Sequence, residues 1–241
     1  MNYLFYLPPD FNASHIFALV LIFVVWWLYA PMLNLLGRGT LNAQLHVVRL
    51  KWMLMLIHSR RENRTFDGII LGQITSAMSY FGSATLIILV GFVGALASIN
   101  HIHSSMMEIA FVPPISLELF TVYFTAITGI IVHCFFAFTY GLRKLNYTLA
   151  MIGGLDDAPA NSPRAAVMTA QTATVLTEAV RSMNSGIRGY FFAVAGFLLF
   201  AGPTISVIST LIIGFLLFYR QGFSKEALAI DRYVKAMREE D

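Results

Sequence analysis

FFAFTYGLRKLNY, residues 135–147, begins as an apolar run and stops abruptly at Arg143, Lys144, Asn146 and Tyr147. Aromatic and aliphatic side chains favour hydrocarbon, whereas guanidinium, ammonium and amide groups favour water or headgroups, so this change of composition marks a membrane boundary. The rest of the chain divides in the same way, into apolar spans and basic connections.

The whole composition agrees with that division. A mean hydropathy of +0.69, with 57% hydrophobic and 12% charged residues, is more than a soluble core can hide. The 16 Lys and Arg fall in three blocks, six in residues 38–64, five in residues 143–188 and five in residues 220–238. Such spacing has no likeness to the continuous basic face of a nucleic-acid binder, so no nucleic-acid partner is expected. The single cysteine, Cys134, lies in an apolar run and excludes an intrachain disulfide. No linker and no repeat of fixed period divides the 241 residues, which read as one transmembrane domain.

A bilayer core needs roughly 20 apolar residues per helix, and the cation-free gaps supply them. The expected fold is an all-α polytopic bundle with four spans, at about residues 15–36, 68–99, 117–141 and 189–219. Residues 1–14 hold Pro8, Pro9 and Asp10 but no cation, so they lack the basic start of a cleavable signal peptide. Interfacial helices are expected on the cytoplasmic face at about residues 41–58, 163–184 and 223–238, where apolar stripes recur at helical spacing. For the first of these an ordinary cytoplasmic helix is the alternative. Asn161, Ser162 and Pro163 read as a helix start, with Ser162 as cap and Pro163 in the first turn.

Orientation brings a conflict. Placing the first two basic blocks in the cytoplasm puts the N-terminus outside, together with residues 100–116. Four spans then put the third basic block outside as well, against its five cations. A helical hairpin broken at Gly202 and Pro203 would give five spans and remove the conflict; a proline kink in one long tilted helix would leave it. Four spans is the preferred count and five the alternative.

Four stretches resemble the family catalogued as domain of unknown function 599, polytopic membrane proteins of bacteria and plants. Arg49, Trp52 and Met53 with Arg64 and Asp67 look like its first basic block, and FGSATLIILVGFVGAL, residues 81–96, resembles its second span. FAFTYGLRKLNY, residues 136–147, is similar to its aromatic run ending in an Arg and an Asn-Tyr pair. GIRGYFFAVA, residues 186–195, and YRQGFS, residues 219–224, match its last span and exit. Gly222 stands where an acidic residue is expected, and Tyr140 where a tryptophan is usual. The resemblance implies a membrane bundle and carries no activity with it.

Three groups of side chains are candidates for chemistry. Arg64, Asp67, Arg143, Asn146 and Arg188 flank span ends on the cytoplasmic edge, where they form a ring that either anchors helices or binds lipid headgroups or a phosphorylated ligand through forked arginine donors. His133 is submerged in the third span, with Gln73 the larger polar group of the second. It reads either as a hydrogen-bonded neutral imidazole or as a haem ligand or proton relay; haem held between two histidines needs a second one at that depth, and the other spans have none. His101 and His103, with His15 on the same outer side, form either a copper-type metal site or a polar loop. Gly68, Gly72, Ser76, Ser79 and Ser83 make a small-residue seam suited to close helix packing, within the chain or between copies.

No phosphate loop, zinc-protease or nucleophile-elbow motif occurs, and no cofactor is expected. The leading expectation is a non-catalytic integral membrane protein, a structural, assembly or accessory subunit that binds membrane lipid and other membrane helices. Self-association or a larger membrane complex follows from the seam, and the bacterial inner membrane is the expected location. An oligomeric transporter or channel is the alternative, and a membrane enzyme acting on lipid or quinone a weaker one.

Overall fold

A computed structural model describes residues 10–35, 39–58, 64–110, 112–155, 159 and 161–239. Pro8, Pro9, the basic residues Arg38, Arg60 and Arg61, and the side chain of Arg64 lie outside what is described. Among the described residues there is no strand. The helices in chain order are α1 (Ala13–Leu35), α2 (Leu41–Gln44), α3 (His46–His58), α4 (Arg64–Ala97) and α5 (Ile99–Met107), followed by α6 (Leu117–Gly154), α7 (Pro163–Phe197), α8 (Pro203–Gly222) and α9 (Lys225–Glu239).

The centre of the molecule is the antiparallel pair α6 and α7. Their close approach depends on small residues. A Cβ at Gly186 would meet the ring of Phe138, at Gly189 the sulfur of Cys134, and at Gly196 Ile127 Cγ1 at 3.0 Å. Gly141 sits where α4 also arrives, against Met78 and the Ala179 carbonyl. Each end of the pair is capped: Ser116 Oγ accepts from Leu119 N at 3.1 Å and Ser162 Oγ from Ala165 N at 3.1 Å, satisfying backbone donors that a helix start leaves open. Asp10 in turn accepts from Ser116 N at 2.7 Å and Ser116 Oγ at 2.6 Å, which ties the chain before α1 to the start of α6.

On this pair α4 packs by Met78, Gly82, Phe92 and Phe81, the last stacked on Phe138 at 5.5 Å. Across the other side α1 lies on α7 and α8, with Trp26 near Phe192 and Tyr29 Oη donating to Leu217 O at 3.0 Å.

Helix α7 ends in a short 3-10 turn, Leu198–Ala201, and Gly202 follows at φ 122, a conformation open to glycine but strained for other residues. Pro203 then opens α8, which returns antiparallel along α7, with Ser206 Oγ donating to Ala195 O at 2.8 Å. The last apolar run is therefore two limbs, as the hairpin alternative has it, and the expected single stretch at residues 189–219 is corrected. Proline cannot continue the preceding hydrogen-bond ladder, and glycine supplies the reversal. Among the described residues, five stretches are long and apolar enough to cross a bilayer: Ala13–Leu33, Thr65–Ala97, Leu117–Gly154, Pro163–Ala201 and Pro203–Glu239. By length and composition the chain is an integral membrane protein.

Other boundaries also move. The stretch expected as a separate interfacial helix at residues 163–184 is the first half of the continuous α7. Helix α6 runs 13 residues past Gly141, to Gly154. Arg143, Lys144 and Leu145 end the apolar run without ending the helix, because all three are good helix formers; Lys144 Nζ is held by Ser182 Oγ at 2.8 Å. The expected helix at residues 41–58 is two, α2 and α3, meeting at Leu45, and much of residues 100–116 is helical as α5.

Candidate functional site

The helix hairpin α7–α8 brings the second and third basic blocks to one end of the bundle, beside α1, α2 and α3. There Asn184 and Arg188 share a face of α7 at i and i+4 spacing, and Gln221 at the end of α8 comes beside them. Between these residues, Thr40, Asn42 and Pro31 lies an open cavity of about 320 Å³, and a second of about 220 Å³ adjoins it under Tyr29, Arg220 and Ser224. Arg188, Asn184 and Gln221 line both.

Arg188 Cζ stands 5.4 Å from the centre of the Tyr29 ring, whose hydroxyl is fixed by Leu217 O. Such a cation over an aromatic face is attracted by the ring quadrupole. Among the described residues no carboxylate pairs with Arg188, whereas Arg181 at the mouth is bound to Glu178 at 2.6 Å. Gln221 Oε1 accepts from Leu41 N at 3.0 Å, leaving its Nε2 donors uncommitted among the described residues, and Asn184 also lacks a partner there. The far wall is stiff. Arg49 donates to Asn42 O at 3.0 Å, Asn42 Oδ1 at 2.8 Å and Thr177 Oγ1 at 3.2 Å, and Asn42 Nδ2 donates to Thr177 O at 3.2 Å. Burial holds the Arg49 guanidinium below the ordinary arginine pKa. The cleft thus presents a fork of cationic donors and amides to whatever anion enters, a set suited to phosphate oxygens.

Of the five residues expected as one ring, the four whose side chains are described do not come together. Arg64 opens α4. Asp67 accepts from Trp52 Nε1 at 2.6 Å, which joins α4 to α3. Arg143 and Asn146 are exposed on α6, on the face turned away from α7. Lys144 meets the Glu178 carbonyl at 3.4 Å, and Arg188 lies ten residues along α7 from there, about 15 Å at the helical rise. They occupy the same end of the bundle at different depths, because α6 and α7 continue past the apolar part while α1 and α8 stop.

His133 is exposed on the flank of the bundle, its Nε2 3.2 Å from Ser185 Oγ and its ring edge-on to Trp26 at 4.7 Å. Gln73 is exposed on α4. Along the same helix Gly68, Gly72, Ser76 and Ser83 are exposed and Ser79 half-buried, while the face used within the chain is that of Leu71, Met78, Gly82 and Thr85. At the other end of the bundle the three histidines go separate ways. His15 Nδ1 bonds the Tyr123 hydroxyl, His103 Nε2 bonds Ile115 O at 2.8 Å, and His101 Nδ1 lies 3.3 Å from Ser105 Oγ. No group of three or more metal-binding side chains occurs among the described residues.

Asn42, Asn184, Gln221 and Tyr29 were not singled out from the sequence. The signal present was the spacing of Arg181, Asn184 and Arg188 on one helix; the rest of the cleft arises only when α8 folds back. A family model described as "Protein of unknown function, DUF599" matches residues 17–226, and comparison with curated proteins and with solved structures gives no match.

Proposed function

The chain belongs to the DUF599 family, a membrane-type helical bundle without an assigned activity, and we propose that it is a non-catalytic accessory membrane protein that holds anionic lipid headgroups in the Arg188 cleft. The observation that carries this reading is a half-buried arginine with no ion pair among the described residues, facing cavities lined by Asn184 and Gln221, where the nearest acid of the lining, Glu226, interacts with Arg220 and Lys225 instead. A guanidinium drawn out of water and left without a counter-charge is costly, and a phosphate diester supplies the charge with paired oxygens. The described cations of the three basic blocks, gathered at one end, support a cytoplasmic setting for the cleft under the positive-inside rule, with the N-terminal end of α1 outside and a bacterial cytoplasmic membrane as host.

Assembly with other helices is the second part of the reading. The exposed seam of Gly68, Gly72, Ser76 and Ser83, on a helix that packs in-chain mainly on α6, supports association with a second copy or another membrane protein. An oligomeric transporter finds less support: Gln73 and His133 lie on the outside of the bundle and on different helices, not along a shared path.

Native mass spectrometry of gently extracted protein tests the proposal. Wild type retains anionic phospholipid, Arg188→Gln loses most of it, and Arg188→Lys keeps charge but loses the fork and falls between. Equal retention in all three, or sustained solute flux in vesicles containing only this protein, overturns it.

A further inference from the structure

Between α1 and α6 there is another concavity, of about 570 Å³, that opens sideways from the bundle. Helix α1 packs chiefly on α7 and α8, and it meets α6 through His15 on Tyr123 and Trp26 on His133. The space between these contacts is walled by Phe23, Trp26 and Trp27, with Trp27 78% exposed, and is floored by Gly129. Gly129 and His133 are one turn apart on the same face of α6, so the missing side chain leaves a smooth bed that ends at an imidazole.

That imidazole is the only polar side chain of the lining apart from the indole N–H groups. Its Nε2 is engaged with Ser185 Oγ, and Nδ1 has no partner among the described residues. In the tautomer whose Nε2 accepts from the serine hydroxyl, the ring proton is on Nδ1, which is then a donor. In that tautomer a donor in hydrocarbon without an acceptor is unfavourable. His133 is eight residues, about 12 Å, from the end of the apolar run at Gly141, where a phospholipid offers chiefly acyl chain. The matching occupant has a carbonyl acceptor on a flat, neutral, bilayer-soluble ring that can lie against the indoles and the phenyl group.

The geometry points to a binding site for a quinone-type ring in this lateral groove, with its carbonyl hydrogen-bonded to His133 and its ring plane against Trp26 and Trp27. The groove shares no lining residue with the Arg188 cleft. It is a binding site only; no electron or proton transfer is assigned to it.

Tryptophan fluorescence tests it directly, because two of the three tryptophans stand in the groove and the third, Trp52 on α3, donates to Asp67 on α4. Purified protein in neutral detergent is titrated with menadione. Wild type gives saturable quenching. His133→Leu weakens the apparent affinity about tenfold, the equivalent of one hydrogen bond. Gly129→Leu abolishes saturation: a Cβ there meets nothing within 4 Å, so the side chain enters the groove without disturbing the bundle. Unchanged helix content and melting temperature certify each variant. Quenching that rises linearly without saturation, as simple micelle partitioning gives, overturns the assignment. So does saturable quenching that is the same in all the proteins.

Discussion

Gly189→Ala puts the α6–α7 contact under a defined load. The added methyl would overlap the sulfur of Cys134, which is fully buried, and a helix backbone lies on either side, so one of the two must give. Overfilling a packed core costs about 1–3 kcal/mol. For a chain of this length that is about 2–4 °C per kcal/mol, so a fall of about 4–8 °C in Tm is expected near the middle of the range. Cys134→Ala alone removes one sulfur and costs about 1 kcal/mol. In the double variant the methyl at 189 finds Trp26 Cζ2 at 3.6 Å and the Cβ of residue 134 at 3.9 Å, both ordinary contacts. The double variant therefore melts above Gly189→Ala, with a favourable coupling of about 1–2 kcal/mol. Unfolding followed by circular dichroism in one detergent gives all four values. A neutral Gly189→Ala, or a double variant as unstable as the sum of the singles, would mean that α6 and α7 do not meet in this register.

Two further outcomes follow from the ends of the bundle. At Asp10 burial raises the carboxyl pKa, but the Ser116 hydroxyl and backbone N–H outweigh it and hold the group below the usual value. A depressed folded pKa contributes stability that is complete above the ordinary Asp value of about 3.9 and is lost as pH falls through the folded value. Asp10→Asn should melt lower than wild type at neutral pH and the gap should close in acid; a gap constant with pH refutes the carboxylate's role. For topology, an alkaline phosphatase fused behind the last residue should be inactive and a cytoplasm-active reporter bright, while the same pair fused to the start gives the reverse pattern. Matching signals at both termini would refute an odd number of crossings.

Membrane class, helical content and the capped start at Ser162 were legible because each depends on local chemistry: apolar length, the 3.6-residue period and a serine before a proline. The span count was less so. Gly202–Pro203 is equally a kink or a reversal until partners for both limbs are known, and Ser206 on Ala195 O settles it through a contact that has no sequence signature. That α6 continues beyond Gly141, the expected end of a span, and α7 beyond Asn184, the expected end of an interfacial helix, has a different reason. A switch from apolar to charged residues records a change of solvent, and residues such as Arg143, Lys144 and Arg181 continue a helix through it. The described members of the expected ring part because nearness in sequence to a span end says nothing about which way a side chain faces: Arg143 and Asn146 are exposed, while Arg188 turns in.

The continuation of α6 beyond Gly141 is matched by the first half of α7, so the two form a stiff post rather than a loop. From Gly141 to Gly154 the post rises about 20 Å at 1.5 Å per residue, with α3 braced against it through His46 and Arg49 on Thr177. Gly154 therefore stands well beyond the end of the apolar run, and a small change of tilt of the α6–α7 pair swings that end sideways like a lever.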